Sequence, residues 1–250
     1  MKKPNFGIGI PTGTEGLMYP IPFAKARDNI RLSRKAEEFE AMTGEKSKKV
    51  NRGNYLDECL EILHQIFSED VVHHKGEYFE IQSLQSYPKP IQKPFPFYIG
   101  GNSPQGRERT ARFGTGWLPA ALTPQEIKKA VDEIEGYCEK YGRDYRGIDI
   151  APQMAVSIGK TQEEAIAKFK KSQLYNHFES LKKSTFKDQD TGLIAERNLI
   201  GSPEQILSKI DEFTKAGVTT FSALLFAVNT VDEFIESMHF FSEAVIKKIL

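Results

Sequence analysis

Residues 97–119 read Phe-Tyr-Ile-Gly-Gly-Asn-Ser-Pro-Gln-Gly-Arg-Glu-Arg-Thr-Ala-Arg-Phe-Gly-Thr-Gly-Trp-Leu-Pro, and they end in the only tryptophan of the chain. They read as a strand, a helix start suited to an anion, and a second glycine turn. Phe97, Tyr98 and Ile99 suit a buried strand. Gly100 and Gly101 let the backbone turn where a side chain would clash, and Ser103-Pro104 reads as N-cap and first helical position. Free amides at the helix start, the positive end of the helix dipole, the Ser103 hydroxyl and the Asn102 amide together suit a phosphate without a buried lysine. This is the plan of a phosphate-bearing cofactor site. An ordinary strand-to-helix turn that needs glycine for geometry alone would share the same local sequence.

Outward from this stretch, strands and helices alternate. Phe6 to Ile10 is a short apolar run closed by Pro11-Thr12-Gly13 and reads as a buried strand. Apolar residues at helical spacing mark helices over Phe23 to Met42 and over Tyr55 to Phe67. Val71-Val72 and Tyr78 to Ile81 read as an extended pair or hairpin, with His73-His74 expected as an exposed surface feature rather than a metal site. Prolines 88, 90, 94 and 96 keep the approach to Phe97 extended.

After Trp117 to Ala121 comes a helix opened by the capping box Thr123…Glu126, then a strand over Ala151 to Ile158. A second capping box, Thr161…Glu164, opens one or two charged helices reaching about Phe186, and Lys187 to Asn198 reads as a loop. Gly201-Ser202-Pro203 starts a helix ending at Ala216-Gly217, followed by a strand over Thr219 to Phe226 and a last helix over Val231 to Ile249. Such alternation means parallel pairing with helical crossovers, either a (β/α) barrel or a doubly wound sheet. The barrel is preferred, because Gly7-x-Gly9 lies inside the first strand rather than after it as a dinucleotide fold requires. In a barrel the chemistry sits at the C-terminal ends of strands: here Pro11 to Gly13, Gly100 to Ser103, and Leu118 to Leu122.

With 34 basic and 34 acidic residues the chain carries no net charge, so nothing directs it to nucleic acid or an acidic membrane surface. No stretch approaches membrane-spanning length, and the start, Met1-Lys2-Lys3-Pro4, runs into a strand rather than a long apolar segment. Cys59 and Cys138 lack metal-ligand spacing and are expected as half-buried thiols, which makes a reducing cytoplasm the expected setting.

Phe6 to Gly13, Gly76-Glu-Tyr-Phe79, Pro88 to Pro94, Tyr98 to Ser103 and Gly114-Thr-Gly-Trp-Leu-Pro119, taken in order, resemble the bacterial-luciferase-like family of flavin- or deazaflavin-dependent oxidoreductases and monooxygenases. The loop Thr14 to Pro22 is similar to members that use coenzyme F420. The resemblance implies a TIM-type (β/α) barrel in a single domain over 1–250, with F420 or FMN as cofactor and a small organic molecule as substrate. It also places Gly100, Gly101, Asn102 and Ser103 on the cofactor phosphate, Gly114, Thr115 and Gly116 on its far side, and Pro11 and Thr12 near the ring. Trp117 is either a ring or ribityl neighbour or a core aromatic.

One departure stands out. Ala36-Glu37 runs directly into Glu38-Phe39-Glu40-Ala41-Met42, where the family has its second to fourth strands between such segments. The chain therefore resembles a member with an internal deletion whose seam lies near residues 35–38, and an incomplete barrel is expected. The same loss would remove the family's proton-handling histidine, so no catalytic residue is assigned. Open parallel edges invite pairing with a second copy, and a homodimer is expected. A non-catalytic, flavin-binding relative acting as a dimer is the alternative, and a phosphate-sugar-binding barrel would use the same turn without needing Gly-Trp-Leu-Pro.

Overall fold

The computed structural model describes residues 5–8, 51–181 and 194–249. The expected helix over Phe23 to Met42 and the expected seam near 35–38 lie outside them, as do Pro11 and Thr12. Strand β1 is Asn5–Ile8. Helix α1, Arg52–Ser68, is capped by Asn51, whose side-chain oxygen accepts from the amides of Gly53 and Asn54.

Strands β2 (Val72–Lys75) and β3 (Glu80–Leu84) form the antiparallel hairpin expected there. Its second histidine is not a surface residue. The side chain of His74 is 9% exposed and its Nε2 lies 3.1 Å from the Glu58 carboxylate. That carboxylate, on α1, also accepts from the amides of Tyr78 at 2.9 Å and Phe79 at 2.8 Å, so the hairpin folds around a buried acid.

The remaining elements alternate. They are β4 (Tyr98–Gly100), α2 (Pro104–Phe113), β5 (Gly116–Leu118), α3 (Pro124–Lys140), β6 (Asp149–Ile150), β7 (Met154–Ile158), α4 (Gln162–Lys171), α5 (Gln173–Leu181), β8 (Leu199–Gly201), α6 (Pro203–Lys215), β9 (Thr220–Phe226) and α7 (Val231–Phe241). A π-helical turn, Ser242–Ile246, interrupts the last helix, which resumes as the short α8, Lys247–Ile249.

Hydroxyl caps start most of these helices, as their sequence requires. Thr123 and Ser202 form reciprocal boxes with Glu126 and Gln205. The Thr161 box is only half made: its hydroxyl accepts from Glu164 N–H, but the Glu164 carboxylate takes the amide of Lys160 instead of the cap residue's own. Cys138 is fully buried rather than half-buried, while Cys59 is half-buried as expected.

All sheet pairings outside the hairpin are parallel. The run 149–158 joins them. Ala151 and Gln153 donate to Trp117 and Pro119 on one side, and Thr219 donates to Ile150 on the other. The sheet order is therefore β4, β5, β6 with β7, β9, β1. Strand β8 lies on the β5 side of β7, because Val156 pairs with both Leu199 and Phe226. Strand β8 was not legible as a strand, being three residues at the end of a polar connection. Two polar side chains fix it. Lys209 Nζ donates to the carbonyls of Ala195 and Ile200, each at 2.6 Å, and Asn198 Oδ1 accepts from Ala155 N–H at 2.8 Å.

Among the described residues no strand pairs with the outer edge of β4, and β1 and β4 do not meet, so these strands form no closed barrel. Side chains alternate across the sheet. Met154, Val156, Leu224 and Phe226 face α3, α6 and α7, whereas Ala155, Ile200 and Leu225 face α4 and α5. Strand β9 carries a bulge: Phe6 pairs with Phe221 but Ile8 with Leu224, and Ala223 takes φ 49°.

Helix α4 starts beside the C-terminal end of β7. It finishes against Asn229, three residues beyond the end of β9, whose side chain bonds Lys171 O and Gln173 N. It therefore passes over the C-terminal rim of the sheet.

Candidate active site

The C-terminal ends of β4 and β5 bring two loops together. After β4, Gly101 has φ 112°, a conformation that calls for glycine, and among the described residues nothing lies within 4 Å of where a Cβ would stand. Ser103 caps α2 by accepting from Gly106 N–H at 3.1 Å, which leaves its hydroxyl proton to donate. Pro104 has no amide proton and Arg107 N–H bonds Ser103 O, so Gln105 carries the first-turn amide with no acceptor in the helix. An exposed turn with a hydroxyl, an amide and a helix N-terminus fits an anion of phosphate size.

The turn is held from behind and from the side. Trp117 is fully buried on the helix-facing side of β5, and its indole Nε1–H donates to Gly101 O at 2.9 Å. Asn102 bonds Ala120 in both senses: its Nδ2 donates to Ala120 O at 2.8 Å and its Oδ1 accepts from Ala120 N–H at 3.1 Å. The expected donor amide of Asn102 is thus largely committed to joining the two loops. Arg107 adds a bond from Nη1 to Asn102 O and an ion pair with Glu133 at 2.7 Å. Beside them runs a cleft of about 200 Å³ between α2 and α3, with Asn102, Leu122, Glu126 and Lys129 in its wall.

Ala121, next along, is buried in a left-handed conformation, φ 51°. Its carbonyl accepts from Arg197 Nη1 at 3.0 Å, and Arg197 is also paired with Glu126. Burial opposes ionisation of Glu126, but hydrogen bonds from Arg197 and from Thr123 N–H outweigh it and hold the carboxyl below its ordinary range. Ala120 and Ala121 lie in the loop Leu118 to Leu122 expected at this rim, whereas Arg197 was not legible as a site residue. Its signal is pairing with Glu126 across 71 residues, which no local pattern carries.

The structure does not bring Gly114, Thr115 and Gly116 to this turn. Tyr98 pairs with Gly116 and Gly100 with Leu118, so the turn before β5 lies at the other end of the strands, roughly 10 Å away at about 3.3 Å per residue. There they have other roles. Gly114 O accepts from Arg143, Thr115 Oγ1 accepts from Phe97 N–H at 2.9 Å, and a Cβ on Gly116 would collide with the Tyr98 ring. The Tyr98 hydroxyl crosses β5 to donate to Asp149 at 2.5 Å, and Thr219 and Thr220 donate to the same carboxylate. Burial, then the bond to Asp149, pushes the Tyr98 phenol up to about 12. Parallel strands begin at one end of the sheet, so a turn entering β5 cannot flank one leaving β4. Pro119 to Leu122 flank it instead.

Helices α4 and α5 cover the β7 to β9 side of the same rim, with Phe169, Leu174 and Phe178 packed on Ala121, Ile200 and Leu225. Among the described residues no group of His, Cys, Asp and Glu is arranged to hold a metal ion, and no helix is long and apolar enough to cross a membrane.

The profile of the luciferase-like monooxygenase family matches residues 29–220. The 5,10-methylenetetrahydromethanopterin reductase of Methanopyrus kandleri is 25% identical over 201 residues, covering 70% of this chain and 58% of the reductase. The chain thus spans a little over half the length of that relative. Among solved structures, an F420-dependent secondary alcohol dehydrogenase in complex with an F420-acetone adduct superposes with a TM-score of 0.64 at 19% identity, covering 83% of this chain and 65% of the dehydrogenase. A riboflavin lyase with modified FMN and riboflavin gives 0.61 at 15% identity, covering 80% of this chain and 57% of the lyase.

Proposed function

The chain belongs to the luciferase-like monooxygenase family, and from that premise we propose that it is an oxidoreductase binding coenzyme F420 or FMN at the C-terminal ends of β4 and β5 and acting on a small organic substrate. The observation that carries the reading is the Gly101 turn: a left-handed glycine followed by a capped helix start, at the rim where parallel (β/α) folds place their chemistry. When bound, F420 supplies two-electron hydride exchange and reduced FMN supplies oxygen-dependent chemistry. The chain's own part is to anchor and orient. Ser103 and the Gln105 amide donate to the phosphate, Trp117 and Asn102 hold the turn that presents them, and α4 with α5 shields the rim from water.

The proposal includes a cytoplasmic setting, a homodimer and an internal deletion near residues 35–38. The two free thiols support the first of these, and the outer edge of β4, which no strand among the described residues pairs, supports the second. If a shortened ring pocket lacks a proton-handling group, binding survives better than turnover, since acid–base help is worth roughly a hundredfold to ten-thousandfold. The test is fluorescence titration with F420 and with FMN, followed by steady-state reduction on the same preparation. Saturable binding of one cofactor supports the reading, and binding of neither overturns it.

A further inference from the structure

Arg197 is only 5% exposed, and its charge is therefore placed where it loses most of its water. Among the described residues its partners are few. Nη1 donates to Ala121 O at 3.0 Å and to Glu126, Nη2 donates to the other Glu126 oxygen at 3.0 Å, and Nε is buried with no acceptor among the described residues. An ion pair alone would be served as well at the surface, because Glu126 is itself 43% exposed. What burial adds is the bond to Ala121.

Ala121 is a non-glycine residue at φ 51°, a conformation that persists only where the surroundings enforce it. It directly follows Ala120, which is bonded through both backbone groups to Asn102, the residue between Gly101 and Ser103 in the turn after β4. A connected path thus runs from Arg197 through Ala121 and Ala120 to Asn102.

We propose that Arg197 is a positioning residue for the cofactor turn: by fixing the Ala121 carbonyl it holds Ala120 where Asn102 bridges to it, and so sets the geometry in which Gly101 to Ser103 accept a phosphate. The inference rests on the reading of that turn as the phosphate site. Arg197 acts through the turn that holds the phosphate, so its removal changes the preference for phosphorylated over unphosphorylated ligands rather than general affinity for a ring.

The experiment measures that preference directly. FMN against riboflavin, and F420 against its ribityl-deazaflavin core without the phosphate, are titrated by fluorescence into the parent, Arg197→Met, Arg197→Lys, Glu126→Gln and the double variant Ala121→Gly/Arg197→Met, with thermal midpoints recorded alongside. The parent is expected to favour the phosphorylated form at least tenfold for one of the two pairs, and Arg197→Met to lose most of that factor. Arg197→Lys keeps a donor for Ala121 and recovers part of it. Glu126→Gln retains it, since the Ala121 bond does not need the carboxylate charge. Glycine at position 121 adopts the left-handed conformation unaided, so the double variant recovers at least threefold over Arg197→Met. Should Arg197→Met not fold, the same comparison is made between Arg197→Lys and Ala121→Gly/Arg197→Lys.

Full preference in the folded Arg197 variants overturns the positioning role and leaves the phosphate site standing. Loss of preference in Glu126→Gln equal to that in Arg197→Met overturns it as well, in favour of charge pairing. A parent without any preference overturns the phosphate site, and the inference with it.

Discussion

Replacing Gly101 with valine separates a phosphate cradle from a merely tight turn. At φ 112° an L side chain is strained by about 1–3 kcal/mol. The new Cβ meets nothing within 4 Å among the described residues, so the cost counted here is conformational. If the turn relaxes to negative φ, Gly101 O swings away from Trp117 Nε1 and leaves a buried donor unpaired, again about 1–3 kcal/mol. Either route costs about 2 kcal/mol of stability. In binding, the same energy amounts to roughly thirtyfold at about 1.4 kcal/mol per factor of ten, before the valine methyls occupy the phosphate's own space. Gly136→Ala is the control: it lies within α3 at ordinary helical φ, where a Cβ also meets nothing within 4 Å among the described residues. Fluorescence titration with F420 and FMN, together with thermal unfolding, reads both effects. Equal cofactor affinity for Gly101→Val and the parent would refute the assignment of this turn.

Three further outcomes follow from the geometry. Burial disfavours the charge on Glu58, but the bonds from Tyr78 N–H, His74 and Phe79 N–H hold its carboxyl below the ordinary 4.5. The stability it contributes is complete above 4.5 and lost as pH falls through the lower folded value, so the gap in thermal midpoint between parent and Glu58→Gln should close only in that acid window. A gap that fails to narrow as pH falls ever further below 4.5 would be inconsistent with this. Tyr98→Phe should cost about 1 kcal/mol in denaturant unfolding, remove one phenol titrating near 12, and leave cofactor affinity untouched, because it sits at the far end of the strands. A changed affinity would contradict that placement. Finally, the edge of β4, unpaired among the described residues, predicts a dimer by sedimentation at micromolar concentration, and a compact stable monomer would count against it.

The parts of the fold that could be read from sequence are those encoded within a few residues. Ser103-Pro104, Thr123…Glu126 and Ser202…Gln205 each place a helix start, and the five apolar runs near Phe6, Phe97, Trp117, Ala151 and Thr219 all pair in the parallel sheet. What sequence did not show depends on distant partners. His74 reads as an exposed histidine until Glu58, 16 residues earlier, folds beneath the hairpin. Leu199–Gly201 becomes a strand because Asn198 and Lys209 hold its backbone. Gly114 to Gly116 has the composition of a ligand turn, and only the register of β4 with β5 sends it to the opposite end of the sheet. At the site the glycine turn was legible and its supports were not, since Asn102 to Ala120 and Arg197 to Ala121 are contacts between loops.

The bulge in β9 bears on how the gene can change in length. Three residues of β9, from Phe221 to Leu224, advance against two of β1, from Phe6 to Ile8, and this keeps Phe221, Leu224 and Phe226 on one face. Ordinarily the loss of one codon inside a strand reverses every side chain beyond it. Loss of Ala223 would instead leave Phe221, Leu224 and Phe226 at regular two-residue spacing, with their faces unchanged and a left-handed alanine removed. Loss of Leu225 would turn Phe226 toward α4 and α5. A single-codon deletion scan across 220–226 should therefore find tolerance centred on the bulge and intolerance on the C-terminal side of it.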